Sequence, residues 1–241
     1  MNLLSCRANY SDPVMFGPHV AKSPDGVLNY RYDAASDATL LIHGYHTDDK
    51  GAQASYETIE RCMPDVKFAG YLWPGGVIAV DFPIAVIRAK SAGSRLRDVL
   101  NGATPRVVDI QTHSLGARVS LEALKYGSGI KIRHLILSAP AVDDDSLNVG
   151  GEFESVLENC VSVNVFYSRN DPVLKKDYPL GTLFREQALG LNGPKVPRPR
   201  LRAFDCSAVI DSHSGYRSSP AYFESWHKIL DGTAEPGLTT L

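Results

Sequence analysis

The chain has 241 residues, a formal net charge of −2 and 44% hydrophobic residues, enough apolar material for one sizeable core. Its pI near 6.4 and mean hydropathy of −0.14 describe an ordinary soluble protein with no basic excess for nucleic acid or an anionic membrane surface. No apolar run approaches the ~20 residues that a membrane-spanning helix needs.

Residues 1–37 read as short strand-like pieces broken by Pro13, Pro18 and Pro24, with 28–32 (LNYRY) alternating as an edge strand. The continuous apolar run 38–43 (ATLLIH) predicts a strand buried on both faces, and 44–48 a loop. A helix follows over 52–63, with Ala52, Tyr56, Ile59 and Met63 on one stripe and Pro64 as its stop. The strand 68–72 ends in Trp73-Pro74-Gly75-Gly76, and an apolar loop leads into a long helix, 82–101, closed by Asn101-Gly102. At 106–126 an apolar run (Val107, Val108, Ile110) climbs to Ser114, and a helix begins at once. Further strands are predicted at 132–137 and 161–167. Strands alternating with helices imply a parallel sheet with right-handed crossovers.

Five prolines and little periodicity predict an irregular excursion over 172–200, part of a cap. Residues 201–206 form the last strand, 220–230 the last helix, and the tail 232–241 (GTAEPGLTTL) is expected to be loose. With no internal repeat and no linker, 1–241 reads as one domain. The lysines and arginines of 185–202 suit a solvated surface. Cys6, Cys62, Cys160 and Cys206 lack the C-x-x-C spacing of metal or redox sites. Cys62, Cys160 and Cys206 sit among apolar neighbours, as buried free thiols do. Leu3-Leu4-Ser5-Cys6 lacks the charged segment and long apolar stretch of a signal peptide, so the expected location is cytoplasmic.

Thr112-His113-Ser114-Leu115-Gly116 has the form of a nucleophile elbow, a strand-to-helix turn that holds a serine exposed. Strand and helix backbones nearly touch there, so the residues two before and two after the serine must be small. Gly116 and Ala117 meet this requirement downstream. Thr112 departs from it upstream, because threonine is β-branched. The plainer alternative is a strand, a polar turn and a serine-capped helix.

Reactive groups in a parallel sheet belong in loops at the carboxyl ends of strands. Ser114 passes that filter, as does Asp171 in Ser168-Arg169-Asn170-Asp171-Pro172 after 161–167. His213, in Asp211-Ser212-His213-Ser214-Gly215-Tyr216, follows the last strand. Alone, an Asp-Pro is commonly a turn and a loop histidine commonly nothing. Together they stand in the order serine, acid, base. A serine hydroxyl needs a base as attack proceeds, imidazole exchanges protons near neutral pH, and the carboxylate holds its tautomer. The backbone N–H groups of Leu115 and Tyr45 are the candidate donors to the developing oxyanion.

Asp143, Asp144 and Asp145 follow an earlier strand, and Asp143 is the competing acid. His113 points away from the serine by its backbone position, His43 braces the oxyanion loop, and Tyr216 reads as structural. His46, Asp48 and Asp49 have metal-binding types, but adjacent acids in a polar loop are usually solvated. Trp73 and Tyr45 are the candidate lining of an acyl pocket, although buried aromatics most often simply pack.

These residues resemble the α/β-hydrolase superfamily and, more narrowly, the DUF900-like group of uncharacterised bacterial α/β hydrolases. The shared pieces are LLIHGY at 40–45, LWPGG at 72–76, THSLGARV at 112–119, SAPAVD at 138–143, SRNDPVL at 168–174, ALGLNGP at 188–194 and HSGY at 213–216. The elbow and His-Gly turn are general to the superfamily, whereas WPGG and LGLNGP favour the narrower group. The resemblance implies an α/β-hydrolase fold with a serine, aspartate and histidine site, and it supplies no substrate.

The combined reading is a serine hydrolase of carboxylic esters that forms an acyl-enzyme and uses no metal or cofactor. Only a modest segment is available as a lid, which favours a small or short-acyl ester. A lipase or phospholipase is the rival if 74–86 present an apolar mouth. An acyltransferase with the same three residues and a non-enzymatic binding relative are the others. The oligomeric state is not legible.

Overall fold

Eight runs rich in Val, Ile, Leu, Phe and Thr form strands of one sheet. They are β1 (Asn2–Ser5), β2 (Ala38–Ile42), β3 (Lys67–Leu72), β4 (Val107–His113), β5 (Lys131–Ser138), β6 (Cys160–Tyr167), β7 (Leu201–Asp205) and β8 (Gly237–Thr240). The computed structural model describes residues 2–6, 38–76, 82–102, 107–127, 131–181 and 187–241. The strand expected at 28–32 and the loop at 77–81 lie outside these residues. The strand order is β1-β3-β2-β4-β5-β6-β7-β8, and every neighbouring pair is parallel. From β2 the chain moves outward to β3, then returns to place β4 on the other side of β2. That reversal opens a crevice at the carboxyl ends of β2 and β4, where ligands bind in such sheets.

Among the described residues, seven helices connect the strands: α1 (Asp49–Cys62), α2 (Phe82–Gly102), α3 (Gly116–Leu124), α4 (Val156–Asn159), α5 (Pro172–Gly181), α6 (Leu189–Asn192) and α7 (Pro220–Leu230). They cover both faces of the sheet. On β3, Phe68 packs edge-on against Trp226 of α7, whereas Tyr71 donates to the carbonyl of Ala92 in α2. Residues three apart on a strand point to opposite faces. On the second face α2 meets α3 closely at Gly93, where a Cβ would lie 2.7 Å from the Val119 carbonyl oxygen. Capping fixes the helix ends. Asp48 accepts from Gly51 N at 2.7 Å to start α1, and Ser219 precedes Pro220 at the first position of α7.

β4 passes through the middle of the sheet yet carries polar side chains, each with a partner. Asp109 pairs with Arg133 and accepts from His134 N at 3.1 Å. Gln111 lies 3.3 Å from the Tyr222 hydroxyl and 3.4 Å from Ser138 Oγ. Satisfied polar groups of this kind are tolerated in a core.

Three expectations need correction. Residues 232–241 are not loose: β8 pairs with β7 from Arg202↔Gly237 to Asp205↔Thr240, and Leu241 N donates to Asp205 O at 2.9 Å. The tail satisfies the backbone groups along the edge of β7 while its side chains stay exposed, so no apolar alternation announces it. Residues 172–200 begin with a helix, because Asp171 caps α5 and Pro172 stands where a missing N–H costs nothing. Cys62 is exposed at the end of α1, whereas Cys6, Cys160 and Cys206 are buried and outside any disulfide.

Candidate active site

Ser114 lies between β4 and α3 with φ 55°, in the left-handed region that few residues other than glycine adopt. Its N–H donates to Ser138 O at 2.9 Å, and its carbonyl accepts from Ala117 N at 3.0 Å and Ala141 N at 3.2 Å. The turn is therefore held from β5 and from α3. Close approach is real on both sides. A Cβ at Gly116 would lie 2.4 Å from His43 O, and one at Gly44 would lie 3.0 Å from Ser114 Cβ. Thr112 is fully buried at the upstream position, and its hydroxyl makes a long 3.5 Å contact with Ile136 O.

The structure brings Ser114, His213 and Asp171 together. His213 Nε2 is 2.9 Å from Ser114 Oγ, and His213 Nδ1 is 2.7 Å from Asp171 Oδ2. A carboxylate only accepts, so Nδ1 carries the proton in neutral His213 and Nε2 accepts from the serine hydroxyl. Asp171 is fully buried, and its other oxygen accepts from Val173 N and Leu174 N, both at 3.0 Å. The same carboxylate therefore caps α5 and holds His213. The two loops are also tied by Ser168 Oγ donating to Ile210 O at 2.6 Å and Asn170 Nδ2 donating to Ser207 O at 2.8 Å.

Asp143 lies elsewhere. It accepts from the hydroxyl of Tyr178 and bridges to Ala188, while Asp144 pairs with Lys195 at 2.6 Å. Asp48 is occupied as the cap of α1, and the described residues contain no group of three or more His, Cys, Asp or Glu placed to hold a metal ion.

Leu115 follows Ser114 at the start of α3, where backbone N–H groups have no intrahelical partner and the helix dipole favours negative charge. Tyr45 follows Gly44 against Ser114, and its ring meets Phe82 edge-on at 5.6 Å. His43 secures this loop. Trp73 N donates to His43 Nε2 at 3.2 Å, so Nδ1 bears the proton and donates to Gly44 O at 2.9 Å. The Trp73 indole N–H donates to His43 O at 2.7 Å, with the two rings stacked. Trp73 has no accessible surface, so the expected pocket lining is a correction: its ring braces the His43-Gly44 turn. Phe82 and Tyr178, which meet at 5.9 Å, continue the aromatic run from Tyr45. Sequence reasoning missed both, since only an α2 start beside an α5 side chain connects them.

His113 does turn away from Ser114. Its Nε2 lies 2.7 Å from the backbone oxygen of His213, and burial, aided by the charge of His213, lowers its pKa to about 3. Tyr216 is buried and packs against His113 and Tyr222.

A parallel sheet of this order, a strand–serine–helix turn with positive φ, and a serine, an aspartate and a histidine after the carboxyl ends of β4, β6 and β7 define the α/β-hydrolase fold. No protein-family model matches the chain, and no curated protein matches its sequence. Among solved structures it is similar to the ydeN gene product from B. subtilis, with 14% identity and a TM-score of 0.45 over 81% of this chain and 100% of that one. It is also similar to the catalytic core domain of acetyl xylan esterase from Trichoderma reesei, with 10% identity and a TM-score of 0.45 over 82% and 98% of the two chains. For polyneuridine aldehyde esterase the values are 15% and 0.35, over 86% and 90%. Similarities this distant carry no argument about activity, and the fold assignment stands on sheet order and the elbow.

Proposed function

We propose that the protein is a serine-dependent hydrolase of carboxylic esters. Ser114 is the nucleophile, His213 the general base and then acid, and Asp171 the group that orients His213. One observation carries this reading: a serine hydroxyl held at φ 55° sits 2.9 Å from Nε2 of a histidine whose Nδ1 is 2.7 Å from a buried carboxylate. Ser114 Oγ attacks the ester carbonyl as His213 takes its proton, and the alcohol leaves with that proton, giving an acyl-enzyme. Water, deprotonated by His213, then releases the acid and restores Ser114. Leu115 and Tyr45 N–H groups receive the oxyanion, and losing one such donor typically costs about 3 kcal/mol of barrier. Burial pushes the Cys160 and Cys206 thiols up to about 12, so neither offers a rival thiolate. The mechanism asks for no metal or cofactor.

A small or short-acyl ester is the favoured substrate. The described part of 172–200 is anchored: Gly190 N donates to Pro140 O at 2.9 Å and Gly190 O accepts from Ser168 N at 3.0 Å. The second reading, an acyl hydrolase of lipids, draws on Ile84 and Ile87, which are 43% and 60% exposed on α2 next to Phe82. Kinship with the DUF900-like group is proposed on WPGG and LGLNGP. A Cβ at Gly75 would meet Gly44 O at 2.9 Å, and one at Gly190 would meet the Ala139 carbonyl carbon at 2.4 Å. A reducing, cytoplasmic setting is proposed on the four cysteines, which form no disulfide. No helix among the described residues is long and apolar enough to cross a membrane.

A fluorophosphonate probe tests the assignment. Wild type should label and Ser114→Ala should not, with ester turnover falling by roughly a million-fold while the melting temperature holds. A series from acetyl to lauroyl esters separates the two substrate readings by where kcat/KM peaks. Faster transfer to an added alcohol than to water would indicate an acyltransferase. Failure to label would leave the non-enzymatic reading.

A further inference from the structure

The residue before Ser114 has no part in the reaction described above. His113 closes β4, and its ring is walled by Tyr216 at 6.4 Å and by Gly44, where a Cβ would come within 3.2 Å of His113 Nδ1. It reaches across 100 positions of sequence to the backbone oxygen of His213, 2.7 Å from His113 Nε2, with ring centroids 4.8 Å apart. A carbonyl oxygen only accepts, so Nε2 bears a proton and donates it to His213 O.

Ser114 is fixed by strand and helix, through Ser138 and Ala117. His213 sits instead in a short turn closed by Gly215 N donating to Ser212 O at 3.1 Å. It lies between β7 and the 3-10 turn Gly215–Ser218, outside regular structure. Its side chain is held by Asp171 and its backbone carbonyl by His113. We propose that His113 is the positioning residue that sets the separation of nucleophile and base, because it is covalently next to one and hydrogen-bonded to the backbone of the other. This rests on the reading of Ser114 and His213 as nucleophile and base. A neutral ring suits the position. When His213 takes up a proton, a second cation 4.8 Å away would oppose it. Burial keeps the His113 ring uncharged, and the positive charges of His213 and Arg217 act in the same direction.

Two variants test the role on a short-acyl p-nitrophenyl ester. His113→Phe keeps a ring of similar volume and removes the donor, whereas His113→Gln offers an amide N–H₂ where imidazole Nε2 stood. His113→Phe should lower kcat and the rate of fluorophosphonate labelling by roughly 10- to 100-fold, the scale of a small misplacement of reacting groups. KM should stay within about twofold, since ground-state binding is untouched. His113→Gln should restore most of the loss. The assignment falls if His113→Phe keeps wild-type kcat, if the loss appears in KM alone, or if a folded His113→Gln is as impaired as His113→Phe. Should His113→Phe not give a cooperative melt, the activity of His113→Gln decides alone. A wild type inert to the probe would overturn the ester-hydrolase reading and this assignment with it. A reactive wild type with an unaffected His113→Phe overturns this assignment only.

Discussion

Thr112 occupies a place where two backbones converge, and it does so with no accessible surface. Its hydroxyl reaches Ile136 O only at 3.5 Å, a weak compensation for a β-branched side chain. Thr112→Gly should relieve the crowding while enlarging the unfolded ensemble, a cost of roughly 1 kcal/mol, and so be near neutral in melting temperature and activity. Thr112→Leu should abolish soluble expression or turnover, because the strand and helix cannot part to admit it. Wild-type melting and activity in Thr112→Leu would mean that no tight elbow exists. At this scale the sequence was informative wherever local chemistry narrows the choice of residue. A serine followed by Leu115 and Gly116, an aspartate after 161–167 and a histidine after 201–206 were all readable from order and position. The destination of His113 was not. Nothing in a strand-end histidine names a carbonyl 100 positions away. Trp73 misled for the opposite reason, since a large aromatic beside a loop suits a pocket as well as a brace.

Asp171 belongs to two elements at once, the N-terminus of α5 and the loop that carries His213. The two roles separate by substitution. Asn keeps the oxygen that accepts from Val173 N and Leu174 N but disturbs the His213 tautomer. Asp171→Asn should therefore lose up to about ten-thousand-fold in kcat with little change in melting temperature. Asp171→Ala should lose both, with about 1 kcal/mol of stability gone along with the cap. Asp143→Asn, in contact with Tyr178 and not with His213, should leave kcat near wild type. Denaturant melts beside steady-state kinetics check all three, and the reverse ranking of Asp143 and Asp171 would move the acid to the earlier strand. Asp171-Pro172 also shows where element reading faltered. In isolation the pair reads as a turn, yet here the acid is the N-cap and the proline the first helical position. The last helix was legible from the same chemistry, since Ser219 and Pro220 open α7. β8 was not legible, because a strand that contributes backbone and little buried side chain leaves almost no pattern.

For the whole molecule, buried neutral histidines link stability to pH. His113 titrates near 3 in the folded protein against an ordinary 6.5, chiefly through burial, and burial also lowers the pKa of His134. The unfolded chain thus takes protons near 6.5 that the folded chain refuses. The stability contributed by His113 is full above that pH and falls as the pH drops toward 3, by about 1.4 kcal/mol per unit once well below 6.5. Melting temperature should decline from pH 7 to pH 5, and a folded His113→Gln should show a shallower slope. An unchanged slope would mean that the ring is protonated in the native state.

The all-parallel order of the sheet bears on how the chain reaches its native state. Among the described strands no hairpin joins two neighbours: Asn2 must find Ala69, and Thr39 must find Asp109. Each ladder closes a long loop before its hydrogen bonds and burial offset the lost chain entropy. Ser114, Asp171 and His213 stand after three different strands, so their alignment requires nearly the whole sheet. Refolding from denaturant should run on the order of milliseconds to seconds or slower, with strand edges open to other chains meanwhile. Reactivity toward the probe should return in the last kinetic phase, after circular dichroism has recovered most of its amplitude, and the yield should fall as protein concentration rises.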